Sequence, residues 1–311
     1  MLVNTIECKG LTKKYQDGDK IALDSVSLSI PSNGIFALIG RNGAGKTTLV
    51  RILATQLELT SGKAEVNGFD VMDEPEEIRR IIAVVPQEAR PVNWLSPMEQ
   101  VYTYLLWRGF SNREARDRAG RALSQLGLSE YAGKRNNTLS GGIKRKVMVA
   151  TVIASGAQIL FLDEPTTGLD PIAREELWNL LFELKKNHFI FLTTHYLEEA
   201  EKLADSIGII HEGKLLKVGT LDELRKDMSY SHSVKFKGTF PLEGVKGRET
   251  VGKDGFTQVF VDEKNAYEIS RKLVTEGISF SINPVSLDNI FYFYTKAGID
   301  THEEKEANAW E

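Results

Sequence analysis

The chain has 311 residues, of which 41% are hydrophobic and 26% are charged, and its formal net charge is −4. This length is enough for one large and one small domain, and the composition is typical of a soluble globular protein. The charge argues against a polybasic surface for nucleic acid or membrane lipid. With the single cysteine Cys8 no intramolecular disulfide can form. The N-terminus is too polar for a secretory signal, and the longest apolar stretch, Val147–Leu162, is too short and interrupted to span a bilayer.

The first predicted elements are two strands that lead into a glycine-rich loop. Residues 21–30 alternate between polar and apolar types, which predicts a strand closed by Pro31. Residues 34–39 read GIFALI, an apolar run typical of a strand buried on both faces, and a helical pattern covers residues 47–57. Between them, Gly40 to Thr47 read GRNGAGKT and match the phosphate-binding loop pattern G-x-x-x-x-G-K-[ST].

This loop has the chemistry needed to bind a nucleotide triphosphate. Glycines let backbone N–H groups converge on phosphate oxygens, and the following helix start favours an anion. Lys46 is expected to contact the β- and γ-phosphates, and the Thr47 hydroxyl to be a ligand of Mg²⁺. The predicted nucleotide-binding residues of this segment are Gly40, Arg41, Asn42, Gly43, Ala44, Gly45, Lys46, Thr47 and Thr48.

A helical insertion is predicted from about residue 88 to about residue 150, where charged helical patterns dominate and strand signals are absent. Its aromatic residues either line a groove for a helix of a partner or belong to an ordinary core. These residues are Trp94, Tyr102, Tyr104, Trp107 and Phe110.

Acidic and polar residues follow the predicted strands of the core. Residues 159–165 read ILFLDEP, so Asp163 and Glu164 stand at the carboxyl end of a buried strand, where ligands bind in parallel sheets. Asp163 is a candidate Mg²⁺ ligand, and Glu164 is a candidate general base or water-positioning residue. His195 follows the strand pattern FIFLTT and could contact a γ-phosphate, and Gln87 could reach Mg²⁺ or the attacking water. Taken singly, the last two are more often structural residues.

A second candidate anion site lies at residues 139–143, which read LSGGI. Ser140 is a good helix cap, and Gly141 and Gly142 leave backbone amides free. Because the nucleotide already has a loop of its own, we expect Leu139, Ser140, Gly141 and Gly142 to cover the γ-phosphate held by a second copy.

The ordered set of Gln87, LSGG, ILFLDEP, GLD at residues 168–170 and His195 resembles the ATP-binding cassette (ABC) ATPases. The resemblance implies an α/β P-loop NTPase core with an antiparallel β subdomain and the helical insertion, binding ATP and Mg²⁺. It places Tyr15 against the adenine and Asp170 in the loop that connects the two sites of a dimer, and adds Gln87 to Thr47 and Asp163 as a metal ligand. Ile143 replaces the family's usual glutamine and is not claimed as a ligand.

The cassette domain is predicted to cover residues 1–225, with a hairpin turning at Glu212–Gly213. A small α+β domain is predicted over residues 229–299, and it resembles the accessory domain of drug, antibiotic and natural-product exporter subunits. Its predicted elements are strands at 233–238, 256–262 and 278–282 and helices at 266–276 and 286–297. The acidic tail, 300–311, is predicted to be disordered.

These observations predict the ATP-hydrolysing subunit of an exporter of a drug-like, lipid or peptide substrate. The resemblance implies a homodimer, bound through a separate integral membrane permease to the cytoplasmic face of the membrane. No nucleic-acid partner is expected. The alternative is a soluble cassette ATPase acting on ribosomes, DNA or protein assembly, although such relatives usually carry two cassettes or long coiled coils. A non-hydrolysing regulatory cassette is disfavoured because Lys46, Glu164 and His195 are all present.

Overall fold

The structure is a computed structural model, and it describes residues 5–15, 20–228, 230–240, 247–251 and 255–295. The strands are β1 (Thr5–Lys14), β2 (Ile21–Pro31), β3 (Ile35–Ile39), β4 (Ser61–Val66), β5 (Phe69–Asp70), β6 (Ile82–Val85), β7 (Ile159–Asp163), β8 (Phe189–Thr194), β9 (Ser206–His211), β10 (Lys214–Gly219), β11 (His232–Lys237), β12 (Gly247–Val251), β13 (Phe256–Val261) and β14 (Phe280–Pro284). The helices are α1 (Lys46–Leu53), α2 (Pro75–Ile81), α3 (Pro97–Trp107), α4 (Asn112–Gln125), α5 (Gly141–Ala154), α6 (Pro171–Leu184), α7 (Leu197–Leu203), α8 (Leu221–Asp227), α9 (Glu263–Thr275) and α10 (Leu287–Thr295).

The chain divides into two compact units after Leu216. The division falls inside β10, before the boundary near residue 225 that the sequence predicts. The Lys217 ammonium forms an ion pair with the Asp227 carboxylate, which ties the end of β10 to α8 within the second unit.

The central sheet of the first unit has the strand order β10-β9-β3-β8-β7-β6. The pairs from β9 to β6 are parallel, and β3, β7 and β8 are buried along their whole length, which confirms the prediction of buried strands. In register, Ile39 pairs with Thr194, and Asp163 pairs with Thr193. The carboxyl ends of β3, β8 and β7 therefore lie side by side at one edge, where a ligand site of a parallel sheet is expected.

A second sheet, with the order β2-β1-β4-β5, is antiparallel. The predicted hairpin between β9 and β10 is confirmed, and its turn residues Glu212 and Gly213 have positive φ angles of 47° and 79°. The predicted helix over 47–57 is shorter in the structure, because α1 ends at Leu53 and Thr55 takes a left-handed φ of 56°.

Between β6 and β7 the described chain contains helices and turns but no strand, which agrees with the predicted helical insertion. Serine caps begin its helices: Ser96 and Ser111 each form a reciprocal capping box with a glutamate, and the Ser140 hydroxyl accepts from the Ile143 N–H at 3.3 Å. None of the described helices is long and apolar enough to cross a lipid bilayer.

The second unit contains an antiparallel sheet in the order β12-β13-β11-β14, packed against α9. Strand β12 was not predicted, and two elements begin two or more residues away from the predicted position. Helix α9 begins at Glu263 rather than at residue 266, because the Asp262 carboxylate caps it by accepting from the Asn265 N–H at 2.8 Å. Strand β14 begins at Phe280, because the Ile278 N–H is still bonded to a helix carbonyl. The predicted tail at 300–311 lies outside the described residues.

Three phenylalanine rings hold the middle of the central sheet together. The Phe191 ring centroid is 4.9 Å from that of Phe36 and 5.5 Å from that of Phe161. Because all three are fully buried, we expect Phe191→Ala to lower the free energy of unfolding by about 3–5 kcal/mol, measured by chemical denaturation. The control is Phe182→Ala on α6, a half-exposed ring whose loss should cost about 1 kcal/mol or less. Equal losses in the two variants would contradict this account of the core.

Candidate nucleotide-binding site

A cleft of 420 Å³ opens beside the glycine-rich loop. It brings together the loop, the tyrosine that follows β1, and the glutamine and glutamate that follow β6 and β7. The cleft is lined by Tyr15, Lys20, Ala22, Asn42, Gly43, Gly45, Lys46, Thr47, Thr48, Gln87 and Glu164.

The loop needs glycine at two positions for steric reasons. A Cβ on Gly40 would lie 2.5 Å from the Ile210 carbonyl oxygen, and one on Gly45 would lie 2.6 Å from the Ala22 carbonyl oxygen. Gly45 also has a left-handed φ of 108° and is followed at once by α1, which begins at Lys46. The backbone is therefore packed tightly against neighbouring strands on one side of the loop.

The Lys46 ammonium is the cation at the centre of this loop. The side chain is only 4% exposed, and its Nζ donates to the carbonyl oxygens of Gly40 at 2.8 Å and Arg41 at 3.2 Å. The same Nζ lies 3.3 Å from Glu164 Oε1, so the loop and the end of β7 are joined by an ion pair. Burial lowers the pKa of Lys46, and the negative charge of Glu164 opposes that effect.

The Glu164 carboxylate is 5% exposed and collects donors from several segments. Its Oε2 accepts from Gln87 Nε2 at 3.0 Å and from the Thr167 hydroxyl at 3.1 Å, and it lies 3.1 Å from His195 Nδ1. Glu164 has a left-handed φ of 46°, an unusual conformation for a residue with a side chain. Gln87, Glu164 and His195, separate in sequence, thus form one hydrogen-bonded cluster.

The charge of this cluster favours an ionised Glu164. Burial alone raises the pKa of the Glu164 carboxyl, but hydrogen bonds and charges from His195 and Lys46 outweigh it and hold the pKa to about 2. The carboxylate is therefore negative throughout the physiological pH range.

Asp163 lies next to this cluster and is buried. Its Oδ1 accepts a hydrogen bond from the Thr193 hydroxyl, which in turn accepts from the Glu164 N–H at 3.1 Å. Thr193 therefore fixes both acidic residues at the end of β7. Tyr15 also lines the cleft, and its hydroxyl is 3.3 Å from the Thr48 hydroxyl.

The segment Leu139–Gly142 does not contribute to the lining of this cleft. Leu139 is buried, whereas Ser140 and Gly141 are exposed at the start of α5. The start of α5 packs closely on the start of α6, since a Cβ on Gly142 would lie 2.9 Å from the Ala173 Cβ. Asp170 is the cap of α6, and its carboxylate accepts from the Ala173 N–H at 2.9 Å.

Comparisons with known proteins decide the family. The family model for ABC transporters matches residues 23–167. A daunorubicin/doxorubicin resistance ATP-binding protein of Streptomyces peucetius is 38% identical over 97% of this chain and 96% of its own length. The chain belongs to the ATP-binding cassette transporter family. The resemblance inferred from the motifs is thereby confirmed, and the protein is an ATP-binding ATPase of this family.

Two further comparisons fit this cassette. The human ATP-binding cassette sub-family A member 2 is 38% identical over 68% of the chain, which spans only 9% of that much longer protein. A solved cassette, described as a dimer in a post-hydrolysis state with ADP and phosphate bound, is 26% identical with a TM-score of 0.62. The alignment covers 70% of this chain and 98% of that one, so the P-loop NTPase fold class is also confirmed.

Sequence reasoning missed three residues of this site. Thr193 was visible only as one of two threonines ending an apolar strand pattern, and Thr167 carried no signal. Arg145 sits between two lysines, and nothing in the sequence distinguishes it from them. In the structure it is buried, and its guanidinium donates to the backbone next to Gln87 and Glu164.

The lowered pKa of Glu164 makes stability depend on pH. A carboxyl with a pKa near 4.5 when unfolded and about 2 when folded stabilises the protein above pH 4.5, and this contribution is lost as the pH falls towards 2. At pH 3 the loss amounts to about 2 kcal/mol. We expect the free energy of unfolding to fall more steeply from pH 6 to pH 3 in the wild type than in Glu164→Gln, measured by urea denaturation. Parallel pH profiles would contradict the assignment.

Proposed function

We propose that this cassette hydrolyses Mg-ATP in a head-to-tail homodimer and thereby drives a separate integral membrane subunit that exports a drug-like substrate. The observation that carries the proposal is the buried Glu164 carboxylate, fixed 3.3 Å from the Lys46 ammonium at the rim of the phosphate loop. This arrangement places a negative group able to orient water beside the cation that would hold the terminal phosphates.

In this proposal the loop residues 40–48 bind the phosphates through backbone N–H groups and the α1 N-terminus. Lys46 contacts the β- and γ-phosphates, and Tyr15 stacks on the adenine from its position on the cleft wall. Since the Lys46 ammonium contacts Glu164 in this structure, phosphate oxygens compete with the carboxylate for the same cation.

Mg²⁺ is proposed to be held by Thr47, Gln87 and Asp163. The available donors are a hydroxyl exposed in the cleft, an amide oxygen and one carboxylate, and the described residues contain no cluster of three acidic, histidine or cysteine side chains that could bind a metal alone. Such a sparse set of hard oxygen ligands fits Mg²⁺, which usually binds through one or two carboxylates together with water and substrate phosphates. When bound, the ion neutralises charge on the phosphates.

Glu164 is proposed to orient and activate the attacking water. With a pKa of about 2 beside Lys46, its carboxylate is a weak proton acceptor, so positioning of water is its first role. Once phosphates occupy the Lys46 ammonium, the carboxylate loses part of its stabilisation and becomes more basic. His195, which lies 3.1 Å from Glu164, is proposed to contact the γ-phosphate and to keep the carboxylate in place.

The second copy is proposed to complete each site. Ser140 and Gly141 are exposed at the start of α5, where amides and the helix dipole favour an anion, yet they do not line the cleft of their own protomer. In the proposed dimer, the segment Leu139–Gly142 covers the partner's γ-phosphate, and the Asp170 loop connects the two sites. The dimeric state of the solved cassette described above supports this arrangement.

The membrane subunit is proposed to bind the helical region of the cassette, placing the protein at the cytoplasmic face of the membrane. Two of the predicted aromatic residues, Trp94 and Trp107, are 73% and 85% exposed, whereas the other three are partly buried. Large exposed apolar side chains favour a partner surface over a core role. The drug-resistance name of the Streptomyces relative supports a drug-like cargo.

Two variants test the hydrolytic site. We expect Lys46→Ala to lower ATP turnover at least about a hundredfold, because the terminal phosphates lose their cation, whereas Lys63→Ala on the exposed edge of β4 should turn over ATP normally.

Glu164→Gln should bind Mg-ATP without hydrolysing it and accumulate as a dimer, measured by size-exclusion chromatography with light scattering. A Glu164→Gln protein that stays monomeric in saturating Mg-ATP would contradict the shared site.

Purification from detergent-solubilised membranes tests the transport role. We expect an integral membrane protein to co-purify with the full chain in a fixed ratio, and Trp94→Ala together with Trp107→Ala to weaken that association without changing the ATPase activity of the isolated chain. The control is Phe182→Ala on α6. Co-purification of ribosomes or DNA in place of a membrane protein would favour the soluble alternative.

A further inference from the structure

A buried guanidinium links the start of α5 to the two segments that carry Gln87 and Glu164. Arg145 is 5% exposed, and its three nitrogen atoms all donate to backbone carbonyl oxygens. Nη2 donates to Asp163 at 3.2 Å and to Glu164 at 3.1 Å, and Nε donates to Pro165 at 2.7 Å. Nη1 makes longer contacts of 3.4 Å to Pro86 and Gln87.

These acceptors are not an arbitrary set of carbonyls. They belong to two segments, 86–87 and 163–165, whose side chains meet at the Glu164 carboxylate through the 3.0 Å hydrogen bond from Gln87 Nε2. Arg145 therefore contacts the backbone of both segments, while their side chains contact each other through the Gln87–Glu164 hydrogen bond. The left-handed φ of Glu164 needs such outside support, since this conformation is disfavoured for a residue with a side chain.

The same residue lies on α5, the helix whose start carries the signature segment, Leu139–Gly142. Arg145 lies in the second turn of α5, about 7.5 Å along the helix axis from Ser140. The Ser140 hydroxyl caps the helix, so a displacement of the exposed helix start moves Arg145 with it. A planar guanidinium that donates to two loops transmits that displacement to both, whereas a lysine ammonium offers fewer donors in no fixed plane.

We propose that Arg145 is a positioning residue that couples the signature segment of one protomer to the Gln87 and Glu164 loops of the same protomer. When the partner's nucleotide contacts Ser140 and Gly141, Arg145 then fixes the positions of Gln87 and Glu164 at the nucleotide bound by its own protomer. This coupling rests on the proposed function, because it requires a dimer in which each signature segment faces the partner's ATP.

The test is steady-state ATP hydrolysis by the purified full chain as wild type, Arg145→Lys and Arg145→Met. ATP binding is measured separately by titration with a fluorescent ATP analogue. Arg118→Lys is the matched control, since its guanidinium also donates to a backbone carbonyl, that of Ala154 at 3.4 Å, but at the opposite end of α5. We expect ATP turnover by the wild type to be cooperative, with a Hill coefficient above about 1.

For Arg145→Lys we expect kcat to fall about tenfold, ATP binding to stay within about twofold, and the Hill coefficient to fall to about 1. Arg145→Met should have a lower kcat still, and Arg118→Lys should match the wild type in all three quantities. A purely structural residue would change folding and binding rather than kcat and cooperativity alone.

The proposal is overturned by a non-cooperative wild type, or if Arg145→Lys keeps the kcat and the Hill coefficient of the wild type. It is also overturned if both Arg145 variants fail to fold while Arg118→Lys folds, because Arg145 would then be structural. A wild type with no ATP turnover would instead refute the proposed function itself, so the two failures are distinguishable.

Discussion

The arrangement of the cleft depends on one buried negative charge, the Glu164 carboxylate. An unpaired carboxylate at this depth would cost several kcal/mol, so the fold must supply partners for it. Those partners come from four separate segments: the phosphate loop, the end of β6, the turn after β7 and the end of β8. They are Lys46, Gln87, Thr167 and His195. Folding thus brings together the groups that are proposed to act in hydrolysis.

The parallel sheet makes this gathering possible. Because β3, β8, β7 and β6 are neighbours in that order and run in the same direction, their carboxyl ends open on one side. The short chain segments after those ends therefore meet without long connections. In the proposed complex the nucleotide phosphates and Glu164 share the Lys46 ammonium, so ATP binding would rearrange an existing ion pair.

The buried strands and the phosphate loop could be predicted from the sequence, because apolar runs and glycine spacing reflect local conformational requirements. Residues 34–39 predict a strand buried on both faces, and GRNGAGKT needs its glycines for close backbone approach. Contacts that depend on tertiary packing could not be predicted. Arg145 lies between two lysines in the sequence, a context typical of an exposed cation, and it is buried only in the folded structure. Strand β14 begins later than predicted because the Ile278 N–H donates to a carbonyl oxygen near the end of α9. No sequence pattern reveals this hydrogen bond.

The two glycines of the signature segment are under different constraints. Gly141 has open space where a Cβ would stand, so packing within the protomer does not require glycine there. Gly142 has the Ala173 methyl group 2.9 Å from that position and is already required by the packing of α5 on α6 within one protomer. A substitution that abolishes activity at residue 142 therefore mixes a packing defect with any loss of ligand contact. A substitution at position 141 therefore reports the loss of a ligand contact in the proposed dimer more directly. Mutagenesis of such cassettes should interpret the two positions separately.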